Sequence, residues 1–140
     1  MLFRSQAAAT EPAQQPEYPA ISKGVRDCLR AADELAEKGV SAEVIDLRSL
    51  RPLDTETVLN SVAKTNRAVI VEEGWPHGGV GANLSALITE QAFDELDAPP
   101  QRVTGADVHM PYSKRLEQAA IPHQEHIVSA ALATLEGAKV

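Results

Sequence analysis

The residues best placed to do chemistry lie in the run Glu72-Glu73-Gly74-Trp75-Pro76-His77-Gly78-Gly79-Val80-Gly81-Ala82. An apolar β-type segment leads into it and a helical pattern leaves it. Its backbone N–H groups and the helix dipole could therefore cradle an anion. The glycines have neither the G-x-G-x-x-G spacing of a dinucleotide site nor the Gly-Lys-Ser/Thr ending of a phosphate loop. A tight turn, in which glycine supplies positive φ and close backbone approach, is the plainer expectation. Trp75 and Pro76 are bulky and apolar for a loop, which suits docking against a neighbouring subunit. His77 beside them is a candidate general base, but no nucleophile or second acid–base group accompanies it.

Other reactive side chains are sparse. His123 and His126 lie three apart at a helix start with Glu125 between them, short of the three or four ligands that a metal site needs. His109 opens the extended stretch His109-Met110-Pro111-Tyr112, suited to lining a cleft or to packing. The lone cysteine, Cys28, has no partner for an internal disulfide and reads as a helical core residue. The formal charge of −7 argues against nucleic acid, which requires clustered Lys and Arg. No apolar run approaches the roughly 20 residues that span a bilayer.

The elements that must position these groups alternate in type. Val25, Leu29, Ala32, Leu35 and Ala36 recur at helical spacing from Lys23, with Lys38 closing the last turn and Gly39 as the C-cap. Residues 42–47 read as a strand. Asp54 can N-cap a helix over residues 55–64, with Val58, Leu59 and Val62 as its buried stripe. Residues 67–71 form the clearest strand, continuously apolar after Arg67 as in a parallel sheet covered on both faces. A helix over 80–94, a short strand at 102–104 and an amphipathic helix over 123–135 complete the pattern. Strand–helix alternation predicts a three-layer α/β/α sandwich with a mostly parallel sheet and right-handed crossovers. The sheet's first strands are missing or degenerate, because Pro16 and Pro19 fall where a strand should precede the first helix.

The helix over 80–94 carries Glu90, Asp94 and Asp97 on the side opposite its apolar stripe. Acids near a helix C-terminus oppose its dipole. With Phe93 exposed beside them they would form a docking face for a basic partner. The preferred alternative has the helix fraying near Phe93, whose ring turns back into the core.

These segments also carry a resemblance. The run 42–54, Lys64-Thr65-Asn66-Arg67, residues 71–76, Gly79-Val80-Gly81-Ala82, Ala92-Phe93-Asp94, residues 96–99 and the run 102–112 together resemble the transketolase C-terminal domain family. Within it they are most similar to the beta subunits of 2-oxo acid dehydrogenase complexes, pyruvate members ahead of branched-chain and acetoin ones. The resemblance covers residues 21–140. It implies a structural and partner-binding domain that supports decarboxylation only inside the complete complex. Thiamine diphosphate and magnesium would be held by other parts of that complex, with no catalytic, cofactor or metal residue on this chain. The implied partners are an alpha subunit, a second beta subunit and the basic subunit-binding domain of an acyltransferase, and the Glu90, Asp94 and Asp97 face agrees with the last. Rival readings are a stand-alone phosphate-binding domain built on the 74–81 loop, and a regulatory decoy that competes for the same partners.

Residues 1–20, rich in Pro, Gln and Ala, show no usable periodicity. They are expected to be disordered or artefactual, since Leu2-Phe3-Arg4-Ser5 matches the translated end of a common sequencing adapter and the domain looks N-terminally truncated. The expected location is a bacterial cytoplasm in preference to a mitochondrial matrix.

Overall fold

The computed structural model describes residues 2–4 and 23–136. In chain order the elements are β1 (Leu2–Arg4), α1 (Lys23–Glu37), β2 (Ser41–Glu43), α2 (Thr55–Thr65), β3 (Arg67–Val71), α3 (Val80–Gln91), a 3-10 turn (Phe93–Glu95), β4 (Gln101–Val103), α4 (Lys114–Ala120) and α5 (Gln124–Glu136). The strand order is β2-β1-β3-β4. β1 runs antiparallel to both neighbours and β3 runs parallel to β4, so three of the four strands share one direction.

Helices cover both faces of the sheet and build two cores. Cys28, Ala31 and Leu35 of α1 meet Ile127, Val128 and Ala131 of α5 over Val69 and Val103. On the other face Val58 and Val62 of α2 meet Leu84 and Ile88 of α3 over Ala68 and Ile70. Val69 and Ile70 thus feed opposite cores, as the two-residue period of a strand requires. Burial pushes the Cys28 thiol pKa up, in keeping with a packing role.

Local signals explain most element ends. The N–H of Gly39, at φ +78°, returns to Ala36 and that of Val40 to Leu35, a left-handed C-cap that glycine adopts without a Cβ penalty. Asp54 caps α2 by accepting the Thr57 N–H at 3.0 Å, and Asn66 closes it at φ 59°. The last helix, α5, starts with the His126 Nδ1 accepting the His123 N–H at 3.1 Å, while the His123 ring pairs with the Gln118 carbonyl. The two rings stack with centroids 6.0 Å apart.

Three expectations change. The strand expected over 42–47 is paired only over Ser41–Glu43, because β1 pairs no further than Leu2 opposite Glu43. β1 occupies a central position that no periodicity announced; the other residues of the 1–20 segment, with Pro16 and Pro19, lie outside the described residues. Phe93 does not turn into the core. α3 stops at Gln91, Ala92 and Leu96 take the inward positions beside Ile88, and Phe93 stays 69% exposed.

A buried arginine locks the sheet to this region. Arg67 donates to the Thr134 carbonyl of α5 at 3.1 Å and pairs with Asp97 at 3.0 Å. The Asp97 N–H in turn donates to the Asn66 carbonyl at 2.9 Å. Asp97→Ala is expected to cost about 2 kcal/mol by leaving the Arg67 charge underpaired, a value held down by the exposure of Asp97. Urea unfolding measures it.

The hydrogen bond from the Thr57 N–H, with that from its hydroxyl, holds the Asp54 carboxyl below its ordinary range. A depressed folded-state pKa contributes stability above the unfolded value and loses it as pH falls through the folded one. The loss of unfolding midpoint between neutral pH and about pH 2.5 is expected to shrink in Asp54→Asn.

Candidate functional site

Strand β3 ends where the 74–81 loop begins, and its next residue, Glu72, turns its side chain under that loop. One carboxylate oxygen of Glu72 accepts the Gly81 N–H at 3.1 Å, and the other pairs with Arg102 Nη2 at 3.3 Å. Arg102 is positioned by the parallel register that sets Ile70 beside it. The same Nη2 donates to the Pro76 carbonyl, so one guanidinium ties β4, the end of β3 and the loop together. Gly105 adds a backbone tie by donating to the Gly74 carbonyl at 2.9 Å.

This arrangement decides the anion question. The N-terminal turn of α3 does hold an anion, but the anion is the chain's own Glu72 carboxylate. A Cβ on Gly79 or Gly81 would come within 2.5 Å of a Glu72 oxygen. The two glycines are therefore required for close approach by a side chain. An external phosphate at this turn would meet a fixed negative charge.

Above the lock lies the loop's outer face. Trp75 is 50% exposed, donates its indole N–H to the Val108 carbonyl at 3.0 Å and meets the His109 ring edge-on at 6.1 Å. Val108, Met110, Tyr112 and Leu116 are exposed from the 105–116 segment. Pro76 is half-buried and His77 exposed. His77 Nε2 lies 3.7 Å from an Asp107 carboxylate oxygen, and both groups are exposed. The structure thus brings Trp75, Pro76 and His77 onto one loop and adds His109 to it.

The second candidate set is divided. Glu90, Phe93 and Asp94 are exposed around the end of α3, whereas Asp97 is engaged by Arg67. Sequence reading missed Arg67 and Arg102, although a signal existed. Arg67 opens a buried apolar strand and Arg102 lies in a short, partly buried one, and a cation in either place requires a partner. It also missed the seven-residue α4, whose Leu116 is exposed and gives no apolar stripe to detect.

Gly81→Ala is expected to destabilise the domain by about 1–3 kcal/mol, the range for overpacking, and toward its upper end because the added Cβ meets a braced carboxylate. In a Glu72→Ala background the same change is expected to cost less than about 1 kcal/mol, because the colliding carboxylate is gone. Denaturant unfolding of the two single variants and the double variant gives the coupling. Equal costs in both backgrounds would contradict the lock.

Comparison with known proteins accords with this geometry. Residues 20–127 match the family described as transketolase, C-terminal domain. The chain is 56% identical over 111 residues to the mitochondrial pyruvate dehydrogenase E1 component subunit beta of Dictyostelium discoideum, covering 79% of this chain and 31% of that protein. The Drosophila melanogaster protein of the same name is 52% identical over 132 residues, covering 94% of this chain and 36% of its own length. The chain therefore spans about a third of the length of these curated relatives. Among solved structures, a split-gene transketolase described as an inactive beta4 tetramer superposes with a TM-score of 0.68 at 26% identity, covering 82% of this chain and 36% of that one. The expectation of a bacterial cytoplasm is overturned, since these relatives are named as mitochondrial. An acidic surface and a lone buried thiol suit either compartment, so composition carried no signal for the choice. With residues 20–127 matched and the layered sheet in place, the chain belongs to the transketolase C-terminal domain family.

Proposed function

We propose that this chain acts as the C-terminal domain of a mitochondrial pyruvate dehydrogenase E1 beta subunit, a structural and partner-binding unit without a catalytic group of its own. The observation that carries the reading is the exposed Trp75 in a loop braced by the Glu72–Arg102 lock and bonded to the Val108 carbonyl, with Val108, Met110 and Tyr112 exposed on the adjoining 105–116 segment. Large aromatic and apolar side chains in a braced loop are what subunit interfaces bury. The names of the 52–56% identical relatives favour pyruvate over branched-chain or acetoin substrates. On this reading Trp75, Pro76 and His77 meet the alpha subunit or a second beta subunit. Glu90, Phe93 and Asp94 offer a surface for a basic acyltransferase domain, with Asp97 contributing through its hold on Arg67.

The complete enzyme would use thiamine diphosphate with magnesium to decarboxylate its substrate. The residues described here do not fit that group. No cluster of three or more His, Cys, Asp or Glu among them could hold a metal ion. The α3 N-terminus already binds Glu72. The chain's contribution is to present rigid surfaces.

Co-purification of the full chain with an E1 alpha subunit, and separately with an acyltransferase subunit-binding domain, tests the reading. Retention is expected, and Trp75→Ala is expected to weaken alpha-subunit capture at least tenfold, as hot-spot aromatics do. A monodisperse monomer indifferent to both partners, or tight binding of thiamine diphosphate by this chain in calorimetry, would overturn it.

A further inference from the structure

The charges around Trp75 are of one sign. The indole N–H donates to the Val108 carbonyl at 3.0 Å, which sets the 74–81 loop beside the segment that follows β4. Glu73, two residues ahead of Trp75, and Asp107, one ahead of Val108, are both exposed. The chain holds no Lys or Arg from Ala68 to Gln101, and none from Val103 to Ser113. Arg102, the cation between those stretches, is turned to Glu72 and the Pro76 carbonyl. The next cations along the chain, Lys114 and Arg115, belong to α4. Among the described residues neither Glu73 nor Asp107 forms an ion pair with Lys or Arg. Asp107 has instead the exposed His77 ring at 3.7 Å.

With its N–H spent on Val108, the exposed half of the indole is hydrocarbon ring. Indole is the best of the aromatic rings at attracting a cation, and the attraction grows as water is excluded. A surface that covered Trp75 without bringing positive charge would desolvate two carboxylates and leave them without a partner, which is costly. A cation there would gain the ring and charge-assisted hydrogen bonds to the carboxylates together. Arginine suits the place better than lysine, because its guanidinium is planar, weakly hydrated and stacks on aromatic faces.

We propose that the partner surface burying Trp75 carries a cationic side chain, an arginine on this chemistry, seated against the exposed indole with Glu73 and Asp107 as its counter-charges. This deepens the E1 beta reading and rests on it. That reading names a subunit contact at Trp75; this inference supplies the group that makes it.

Trp75 is the one tryptophan of the chain, so fluorotryptophan incorporation alters that ring alone. Each added fluorine withdraws electron density from the ring with little change in size. Full chains carrying tryptophan or its mono-, di- and trifluoro forms are titrated with an unlabelled E1 alpha subunit. Affinity is expected to fall with each fluorine, by about tenfold over the series. Glu73→Gln and Asp107→Asn are each expected to weaken capture about threefold to tenfold at low salt and less at high salt. Both side chains are exposed, and an unchanged unfolding midpoint shows that each variant keeps the fold. Capture that is lost in Trp75→Ala yet equal for all fluorinated forms would overturn the proposal and leave the E1 beta reading standing, since the contact would then be apolar alone. Tighter capture by Glu73→Lys or Asp107→Lys would overturn it by assigning an acidic partner. Self-association through Trp75 that excludes the alpha subunit would overturn it by assigning the surface to a second copy. No capture by the unlabelled chain would overturn the reading and the proposal together.

Discussion

The carboxylate of Glu72 is the constraint on which the functional end of this domain depends. It lies under a helix N-terminus, where backbone N–H groups and the helix dipole favour negative charge, and it faces the Arg102 guanidinium. Each neighbour solves a problem for the others. Arg102 is a cation in a short, partly buried strand and needs an acceptor; Gly81 lies in the first turn of a helix, where the N–H groups have no intrahelical partner. Glu72 meets both needs at once. The Arg102 bond to the Pro76 carbonyl then passes that rigidity to the loop carrying Trp75. Glycine at 79 and 81 follows from the carboxylate's position, not from any ligand.

The lock stands beside the most deeply buried strand of those whose burial is described. β3 is buried along nearly its whole length and supplies side chains to both cores, and β4 pairs beside it in parallel register. Arg67 anchors the other end of β3 by tying it to the end of α5 and to Asp97. The same strand therefore begins and ends in an arginine-centred contact, one contributed by β3 and the other by β4. Between them lies an apolar run whose inner edge is met, among the described residues, by β1 at Arg67 and Ala68. The domain is firmly braced at its functional end.

How much of this the sequence disclosed follows from which forces are local. Helices α1, α2 and α5 were legible because apolar spacing, Asp54 and Gly39 act within a few residues of one another. β3 was legible because three β-branched residues in succession have little else to do. The end of β2 was not, since 42–47 has strand character but pairing is settled by a partner distant in sequence. Phe93 was misjudged for a related reason: the inward position went to Ala92 and Leu96 once α3 stopped at Gln91, and one wheel cannot show where a helix stops. The glycine loop was recognised as a turn that failed the phosphate spacings. Its true occupant was Glu72, written in the sequence as the residue that begins the run.

A domain that closes its own anion site gives up one kind of function and gains another. An open helix N-terminus beside a flexible glycine loop could bind and release phosphate, but it would hold Trp75 loosely. Filling that turn with an internal carboxylate removes the ligand and fixes the loop. The indole is then held from below by the lock and from the side by its bond to the Val108 carbonyl. Its exposed half is apolar surface whose orientation is already fixed before any partner arrives, so little entropy remains to be lost when it is buried. The feature that resembles a cofactor cradle is, on physical grounds, the brace for a contact surface.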